Sequence, residues 1–493
     1  MKFLLAVAMI AAAAPKHLTT HGLKGGALNI VDLLEENNAS GLRVAAAPSN
    51  VAPAGLPTIS GFYKQTVDHF GNQKGINGTH FDQLYFIQDA YYKPGGPVFF
   101  FIAGEGPATD GWMKGGYGSI LSHLMPRYNG MVVSLEHRFY GAGADPSNPG
   151  RSVPTADLSP ESLKLLNANQ AIEDMASFIT DFPTLFPKYN MPKDTKWITI
   201  GGSYPGSLSA WMRQQHPELV YAAHASSAPV QLQMDFWKYS YAVDEGIKFW
   251  ADVKYKTGQA CVNGWTRAVK LFDNGLTEAA KDPAALKAFK SKFWLSQVNA
   301  LSDVGSNVAS DFGSTVQYYP ENDKVGGKTR LEVVCGKDTV FTNPKATDAE
   351  LLKALQDFTI LKLTSYGITG DEDPNVGLWF NTVASTDYSF EAVGPWLWYY
   401  QSCNEMGYAQ VAQPLTKQGL IESWSVYSQF NTVASYEKWC RDLGFTKAST
   451  IPAINANNQY YGGLWNYQSN ILFTNGELET KSLLGKTHTK IEL

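Results

Sequence analysis

The chain contains 493 residues, of which 44% are hydrophobic and 17% are charged. These proportions exclude an intrinsically disordered polymer, and the length predicts two domains or one domain with a large insertion. The formal net charge of -5 offers no basic field for phosphates, so nucleic acid is not an expected partner.

The N-terminus has the pattern of a secretory signal peptide. Lys2 precedes a short apolar run that ends in alanines at residues 11–14, whereas a membrane span needs about 20 apolar residues. We therefore expect residues 1–14 to be a signal peptide and residues 15–58 to be a propeptide or flexible lead-in. The expected location is secreted or lysosomal, with no membrane span.

The cysteine content agrees with a secretory route. Four cysteines in such a chain predict two disulfides, and four allow three connectivities. No Cys-x-x-Cys pair occurs, which disfavours zinc and thioredoxin-like chemistry, and we expect neither a metal nor a cofactor. Asn38 and Asn77 begin acceptor sequences for N-glycosylation. The candidate disulfide residues are Cys261, Cys335, Cys403 and Cys440.

From about residue 59, apolar strands alternate with glycine-rich turns and helical patterns. Strands are predicted at 98–102, 131–135 and 197–200, and a helix is predicted at 163–182. Because the strands are continuously apolar, they predict a mostly parallel sheet covered by helices on both faces. After Pro229 the alternation stops. Residues 231–390 have helical patterns, and strand character returns at 469–474.

The strongest functional signal is the segment 198–206, where a predicted strand ends in Gly201-Gly202-Ser203 and a helix follows. A serine on such a turn is the nucleophile elbow of α/β-hydrolases, and small neighbours permit its strained backbone. We predict Ser203 as the nucleophile and the Tyr204 amide as one oxyanion donor. Pro205 stands where the usual motif has glycine, and a first helical turn accommodates proline. The alternative is a serine that caps a helix behind a glycine turn.

A second glycine loop, Gly104-Glu105-Gly106-Pro107, follows the strand at 98–102. Hydrolases of this type take their other oxyanion amide from such a loop, and we assign that role to the Glu105 N–H. His137 precedes the serine in the chain, which is the wrong order for the catalytic base of this fold, so we expect a structural histidine there.

Three ordered motifs together resemble the family of lysosomal Pro-X carboxypeptidase, dipeptidyl peptidase II and thymus-specific serine protease. They are the loop at 104–107, Glu-His-Arg-Phe-Tyr-Gly at 136–141 and Gly-Gly-Ser-Tyr-x-Gly at 201–206, and the resemblance spans about residues 59–479. It implies an α/β-hydrolase fold with an inserted helical cap. It also implies a serine-type exopeptidase, of carboxypeptidase or dipeptidyl-peptidase type, that prefers proline-containing bonds. The implied disulfides pair Cys261 with Cys335 and Cys403 with Cys440.

This resemblance and the element pattern predict the domain organisation. The α/β-hydrolase domain comprises residues 59–230 and 391–479, and the helical cap comprises residues 231–390. Residues 480–493 form a divergent C-terminal tail.

The chain departs from the family pattern at its C-terminal end. Glu479 stands at the position of the family's catalytic aspartate, and a glutamate can orient the histidine equally well. His488 is the one histidine that follows, and it comes only nine positions after Glu479, too short a span for a helix, a strand and a return loop. We therefore expect His488 not to be the base and this polypeptide to have weak or no activity.

Two other functions stay open at this point. The chain could be a non-catalytic relative that binds peptides in the same cleft, or an esterase on the same fold, because an elbow alone does not separate esters from amides. A peptide substrate is the expected partner, and a homodimer is left open.

Overall fold

The computed structural model describes residues 57–71, 73, 78–113, 118–310, 312–390, 396–413, 425–446, 449–465 and 468–476. The predicted signal peptide, nearly all of the lead-in and the tail at 480–493 lie outside these residues. So do four individual residues named above, which are Asn38, Asn77, Glu479 and His488.

A seven-stranded sheet forms the centre of the protein. Its order is β1-β2-β4-β3-β5-β6-β11, in which β1 and β2 are antiparallel and the five strands from β4 to β11 are parallel. These strands are β1 Ile59–Thr66, β2 His80–Gln88, β3 Val98–Ile102, β4 Met131–Leu135, β5 Trp197–Gly202, β6 Val220–Ser226 and β11 Ile471–Thr474.

Helices cover both faces of this sheet. Every residue of β3 and β4 is buried, as expected for strands packed on both sides. On one face the strands pack against α2 and α3, and on the other against α1. These helices are α1 Gly118–Tyr128, α2 Ala168–Leu185 and α3 Tyr204–Gln215.

The chain between β6 and β11 is mainly helical. It contains α4 Trp237–Tyr255, α5 Gly258–Ala279, α6 Pro283–Ser291, α7 Leu301–Ala309, α8 Phe312–Gln317, α9 Arg330–Cys335, α10 Asp348–Ser365, α11 Pro374–Phe380, α12 Trp396–Gln401, a π-helical turn Ser402–Met406, α13 Val433–Asp442 and α14 Ile451–Tyr461. The short strands are β7 Gln233–Asp235, β8 Lys324–Val325, β9 Lys328–Thr329 and β10 Gly407–Ala409. The 3-10 turns are Asp110–Met113, Ser162–Leu165, Pro187–Tyr189, Pro320–Asn322, Val340–Thr342 and Gly463–Trp465.

Helices α4–α11 enclose an apolar cluster of their own, with Trp265 and Phe272 at its centre. The disulfide Cys261–Cys335 lies inside this cluster, and Cys403–Cys440 joins the π-helical turn to α13. Both pairings are those that the family resemblance implies. The proposed boundaries of the cap stay a prediction, although residues beyond 390 also contribute to its cluster: Ala412, Val426 and Tyr427.

The helix predicted at 163–182 differs from the observed one. A 3-10 turn occupies Ser162–Leu165, the chain then breaks, and α2 begins after Asn167, whose side chain caps the Gln170 amide. The Asn167 N-cap separates the 3-10 turn from a new helix. This capping signal outweighs the apolar spacing from which one continuous helix was predicted.

The strand order and the strand–serine–helix unit at its centre are those of an α/β-hydrolase. This confirms the predicted fold. Among the described residues, none of the helices is long and apolar enough to span a bilayer.

Candidate active site

Ser203 lies at the junction of β5 and α3 with φ 63° and ψ -131°. A serine rarely adopts this conformation, which costs about 1–3 kcal/mol and persists only when the surrounding structure imposes it. The Ser203 amide donates to the Ser226 carbonyl at the end of β6 (2.9 Å), so the neighbouring strand helps to hold the turn. The strain lies at the predicted nucleophile, as in a nucleophile elbow.

Two glycines leave the space that this turn needs. A Cβ on Gly201 would lie 2.1 Å from the Pro205 carbonyl oxygen, and one on Gly206 would lie 2.7 Å from the Ser226 oxygen. Both contacts are with backbone, which cannot move aside without opening the elbow. Gly201 and Gly206 of the Gly-Gly-Ser-Tyr-Pro-Gly segment are therefore required by close packing.

The glycine loop after β3 packs against the first turn of α3. A Cβ on Gly104 would approach the Pro205 ring to 2.5 Å, so only glycine allows this contact. The loop brings Glu105 beside the helix start that carries Tyr204. The two residues predicted as oxyanion donors thus belong to segments in direct contact.

Glu136, at the end of β4, holds the backbone that directly follows this glycine loop. Its fully buried carboxylate accepts from the Ala108 amide (2.8 Å) and pairs with Arg151 through two hydrogen bonds (2.7 and 3.0 Å). Burial raises the pKa of Glu136, and Arg151 opposes that rise. Gly141 lies against the Glu136 carboxylate. A Cβ there would lie 2.2 Å from that carboxylate, so the contact requires glycine.

Arg138 joins the end of β4 to α2. Its guanidinium makes a two-pronged contact with Asp174 (2.6 and 2.7 Å), and the side chains are 0% and 2% exposed. Burial alone would raise the pKa of Asp174, but the charge and hydrogen bonds of Arg138, together with those of His69, outweigh it and lower the pKa. Asp174 also accepts from His69 (2.9 Å).

His137 contacts Tyr204, the residue after the predicted nucleophile. Its Nδ1 donates to the Arg138 carbonyl (2.9 Å), and its Nε2 lies 2.9 Å from the Tyr204 hydroxyl. Burial lowers the pKa of His137 to about 4, so the ring is neutral near pH 7. Both ring nitrogens are engaged in a structural role.

A glutamine and a glutamate from the π-helical region complete this buried group. Gln401 Nε2 donates to the Tyr204 hydroxyl (3.1 Å), and Gln401 Oε1 accepts from the Tyr140 hydroxyl (2.5 Å). Glu405 accepts from the Ala168 amide at the start of α2 (2.8 Å). Burial raises the pKa of Glu405 to about 7, although these hydrogen bonds oppose the rise.

The end of β11 lies next to the elbow. Thr474 pairs with Ser226 across the sheet, and its carbonyl accepts from the Ser227 amide (2.7 Å). The chain after Thr474 therefore starts at the edge of the sheet where Ser203 lies. Glu479, the predicted acid, and His488 come after this point and lie outside the described residues.

The other described histidines near the sheet have partners of their own. His216 contacts Glu173 (3.0 Å) and Glu218 (3.2 Å) through its two nitrogens. His224 bonds Thr474 (2.9 Å), and burial lowers its pKa to about 4. His224 is a buried residue of β6, next to β11.

Within the described residues, no group of three His, Cys, Asp or Glu side chains is arranged to hold a metal ion.

With this geometry established, the relatives of the chain can be considered. The model of the serine carboxypeptidase S28 family matches residues 65–492. The chain belongs to this family. It is a serine peptidase family, and the match confirms the resemblance drawn from the three motifs.

Individual relatives agree with this assignment. A Caenorhabditis elegans protein named as a serine protease is 31% identical over 87% of this chain and 79% of its own length. Human thymus-specific serine protease is 26% identical over 93% of this chain and 82% of its own. An Arthroderma benhamiae protein named as an extracellular serine carboxypeptidase is 27% identical over 79% and 54%.

Among solved structures, an arylesterase matches 42% of this chain and 62% of its own with 15% identity and a TM-score of 0.24. This similarity is too low to carry an argument.

Sequence reasoning missed three residues of the site, Asp174, Gln401 and Glu405. Nothing in the local sequence marked Gln401 and Glu405 as buried. The available signal was the polar spacing Gln-x-x-x-Glu in an otherwise apolar and aromatic stretch at 396–406.

Proposed function

We propose that this S28 family member is a serine-type exopeptidase in which Ser203 attacks the peptide carbonyl. The observation that carries the proposal is the strained backbone of Ser203 between a buried strand and a helix N-terminus. In the proposed reaction, the Tyr204 and Glu105 amides stabilise the oxyanion that forms. Glu479 orients the catalytic base.

The carboxypeptidase type is favoured over the dipeptidyl-peptidase type. The family is described as serine carboxypeptidases, and one relative is named as a carboxypeptidase. We infer cleavage at proline-containing bonds from the family resemblance. The name of that relative as extracellular and the two disulfides support a secretory location.

A fluorophosphonate probe tests whether Ser203 is activated. Because weak activity is expected, we expect slow labelling at Ser203, identified by mass spectrometry, and its loss in Ser203→Ala. Ser207→Ala is the matched control. This serine lies one turn further along α3 with a fully buried side chain, and alanine keeps the hydrogen bond from its backbone amide to the Ser203 carbonyl, so labelling should stay intact. An unlabelled but folded protein would refute the enzyme and favour the peptide-binding alternative.

The general base is tested with the same probe. His488→Ala removes the one histidine that follows Glu479. Loss of labelling in this variant identifies His488 as the base and overturns the expectation of weak or no activity. Labelling that persists in this variant excludes it.

Substrate class is tested with matched peptides. A carboxypeptidase cleaves a peptide with a free C-terminus and spares the same peptide as a C-terminal amide, whereas blocking the N-terminus has little effect. Equal cleavage of proline and non-proline peptides contradicts the expected preference. Hydrolysis of esters without any peptide cleavage would favour the esterase.

A further inference from the structure

A buried chain of hydrogen bonds leads to the residue beside the predicted nucleophile. The Tyr140 hydroxyl donates to Gln401 Oε1, and Gln401 Nε2 donates to the Tyr204 hydroxyl. The Tyr204 hydroxyl in turn lies 2.9 Å from His137 Nε2. The chain connects three separate segments of the protein, the end of β4, the start of α3 and the end of α12.

The donor and acceptor capacity of each group determines the direction of these hydrogen bonds. A carbonyl oxygen only accepts, so the proton of neutral His137 sits on Nδ1, which faces the Arg138 carbonyl. Nε2 is then an acceptor, and the Tyr204 hydroxyl must donate to it. The one hydroxyl proton of Tyr204 is used in this hydrogen bond, so the Tyr204 oxygen can only accept a further one. The Gln401 amide donates it.

Glu405 sets the orientation of that amide. Its Oε2 lies 3.4 Å from Gln401 Nε2, and its Oε1 is held by the Ala168 amide at the start of α2. A carboxyl oxygen on this side favours the NH2 group of Gln401 over its carbonyl. The NH2 group therefore faces Glu405 and Tyr204, and the carbonyl faces Tyr140.

The position of Tyr204 matters because its backbone amide is the proposed oxyanion donor. Its side chain is 1% exposed, and its ring packs against Trp398. The strained Ser203 directly precedes it, and such a backbone keeps its conformation only when its neighbours are held in place. Gln401 is completely buried and provides the one described amide donor to the Tyr204 hydroxyl.

We propose that Gln401 is a positioning residue for the peptidase reaction, which holds Tyr204 so that its backbone amide faces the developing oxyanion. The inference rests on the proposed function. As the Ser203 Oγ–carbon bond forms, the carbonyl electron pair moves onto oxygen, and that oxygen accepts from the Tyr204 N–H. The serine proton goes to the general base, and no proton moves along the Gln401 chain.

The first test replaces Gln401 with methionine, which keeps the volume and removes its hydrogen bonds to Tyr140, Tyr204 and Glu405. Labelling of Ser203 by the fluorophosphonate is measured over probe concentration, which separates probe affinity from the rate of bond formation. We expect bond formation to slow roughly 10- to 100-fold, because small misplacements of a catalytic group have effects of this order. Probe affinity should change little.

Gln413→Met is the matched control. Gln413 is also a buried glutamine, and its amide donates to the Asp244 carboxylate in the helical region. This variant loses a buried amide without touching Tyr204. We expect its unfolding temperature to fall as much as that of Gln401→Met while its labelling rate stays that of the wild type.

A second test exploits the proton of a carboxyl group. In Gln401→Glu, the protonated side chain can donate to Tyr204 and accept from Tyr140, whereas the ionised one can only accept. The ratio of variant to wild-type labelling rates should therefore be highest near pH 5 and fall as the pH rises. The titratable groups around position 401 are His137, Glu105, Tyr140, Tyr204 and Glu405, with Tyr400, Tyr408 and Tyr461 around Glu405.

The outcomes separate this inference from the function on which it rests. If wild-type protein is not labelled, both the proposed function and this inference are wrong. If wild-type and Gln401→Met bond formation are equally fast, the inference alone is overturned. A ratio for Gln401→Glu that is independent of pH also overturns it. If Gln401→Met fails to fold, Tyr140→Phe replaces it, since this variant removes only the hydroxyl that orients Gln401.

Discussion

The two parts of the molecule place their buried polar side chains differently. At the carboxyl edge of the sheet, buried polar residues such as Glu136, Arg138 and Gln401 lie beside the elbow. In the helical region, buried polar residues such as Asp273 and Arg330 accompany a large apolar cluster around Trp265 and Phe272. Buried polar groups cost free energy unless every one is bonded, whereas apolar burial stabilises in proportion to its area.

This difference indicates what each part contributes. Polar contacts have defined directions and fix the positions of loops, while apolar packing supplies stability with little directional demand. Replacing a buried ion pair by apolar residues is often neutral for stability, so stability alone does not explain the polar edge. We infer that variants at the edge change both stability and Ser203 reactivity, and that variants in the helical region change stability alone.

The largest expected effect comes from breaking the Arg138–Asp174 pair. Arg138→Met leaves Asp174 buried with His69 as its remaining side-chain ion partner. We expect the free energy of unfolding to fall by about 3–5 kcal/mol, because an uncompensated charge stays buried. Labelling of Ser203 should also slow, since α2 and the end of β4 lose their connection. Urea denaturation and probe kinetics measure the two effects.

The helical region offers a matched ion pair, Arg330 with Asp323, at 5% and 9% exposure. Arg330→Met should destabilise the protein comparably and leave labelling of the folded protein unchanged. If both variants slowed labelling equally, the comparison between the two regions would be wrong.

The two disulfides also test the comparison between the two regions, with a somewhat smaller expected loss of stability. Cysteines 261 and 335 are 74 residues apart, and replacing both with serine should cost about 4 kcal/mol of stability through the entropy of the unfolded chain. Cysteines 403 and 440 are 37 residues apart, and halving the loop lowers the cost by only about 0.6 kcal/mol. Thermal unfolding of the two double variants measures these losses.

Reactivity should distinguish the two disulfides more clearly than stability does. Cys403 belongs to the π-helical turn that follows Gln401 and carries Glu405. We expect slower Ser203 labelling only when this disulfide is removed. Slower labelling after removal of Cys261–Cys335 would contradict the division.

A third prediction concerns the pH dependence of stability. Burial raises the pKa of Glu405 to about 7, above its ordinary value of 4.5, so the folded protein binds a proton that the unfolded chain releases. This stability is fully present below pH 4.5 and is lost as the pH rises through 7. The loss amounts to at most about 3 kcal/mol. The groups that face Glu405 are Gln401, Tyr140, Tyr204, Tyr400, Tyr408 and Tyr461.

Glu405→Gln should remove this dependence. Denaturation of the variant and the wild type at pH 5 and pH 8 should show the wild type losing more stability between the two values. Equal losses would show that the Glu405 carboxyl does not titrate in this range.

The smallest effects are expected at helix N-caps. Asn167 caps α2 and Thr347 caps α10, and alanine at either position should cost about 1 kcal/mol of stability. Only Asn167→Ala should also slow labelling, because the helix start that it caps holds Glu405. Chemical denaturation measures the stability of each variant, and the probe measures its reactivity. Slower labelling in Thr347→Ala would count against the comparison.

The parts of the fold that could be predicted are those with a strong local signal. Strands β3 and β4 were predicted with their observed bounds because five consecutive apolar residues mark each one. Strand β1 was missed, since its polar and glycine positions weaken the pattern. The elbow was predicted because its strand, its glycines, Ser203 and the following helix are adjacent in sequence, and Gly201 is required by a backbone contact with the nearby Pro205.

The buried polar contacts had no comparable signal. Gln401 and Tyr204 are 197 residues apart in sequence, and Arg138 and Asp174 are 36 apart. A polar side chain near an aromatic stretch has the same local pattern whether it faces water or a buried hydroxyl. Its partner is chosen only when the strands and helices come together.

The sequence alone therefore determined the parallel strands, the strained turn at Ser203 and the number of disulfides, because each depends on neighbouring residues and their conformational preferences. The tertiary structure decided which partners His137, Arg138 and Gln401 take. These contacts join the end of β4, α2, α3 and the π-helical turn, and their geometry follows from how those elements pack. Hydrogen bonds require distances and directions that no local sequence pattern specifies.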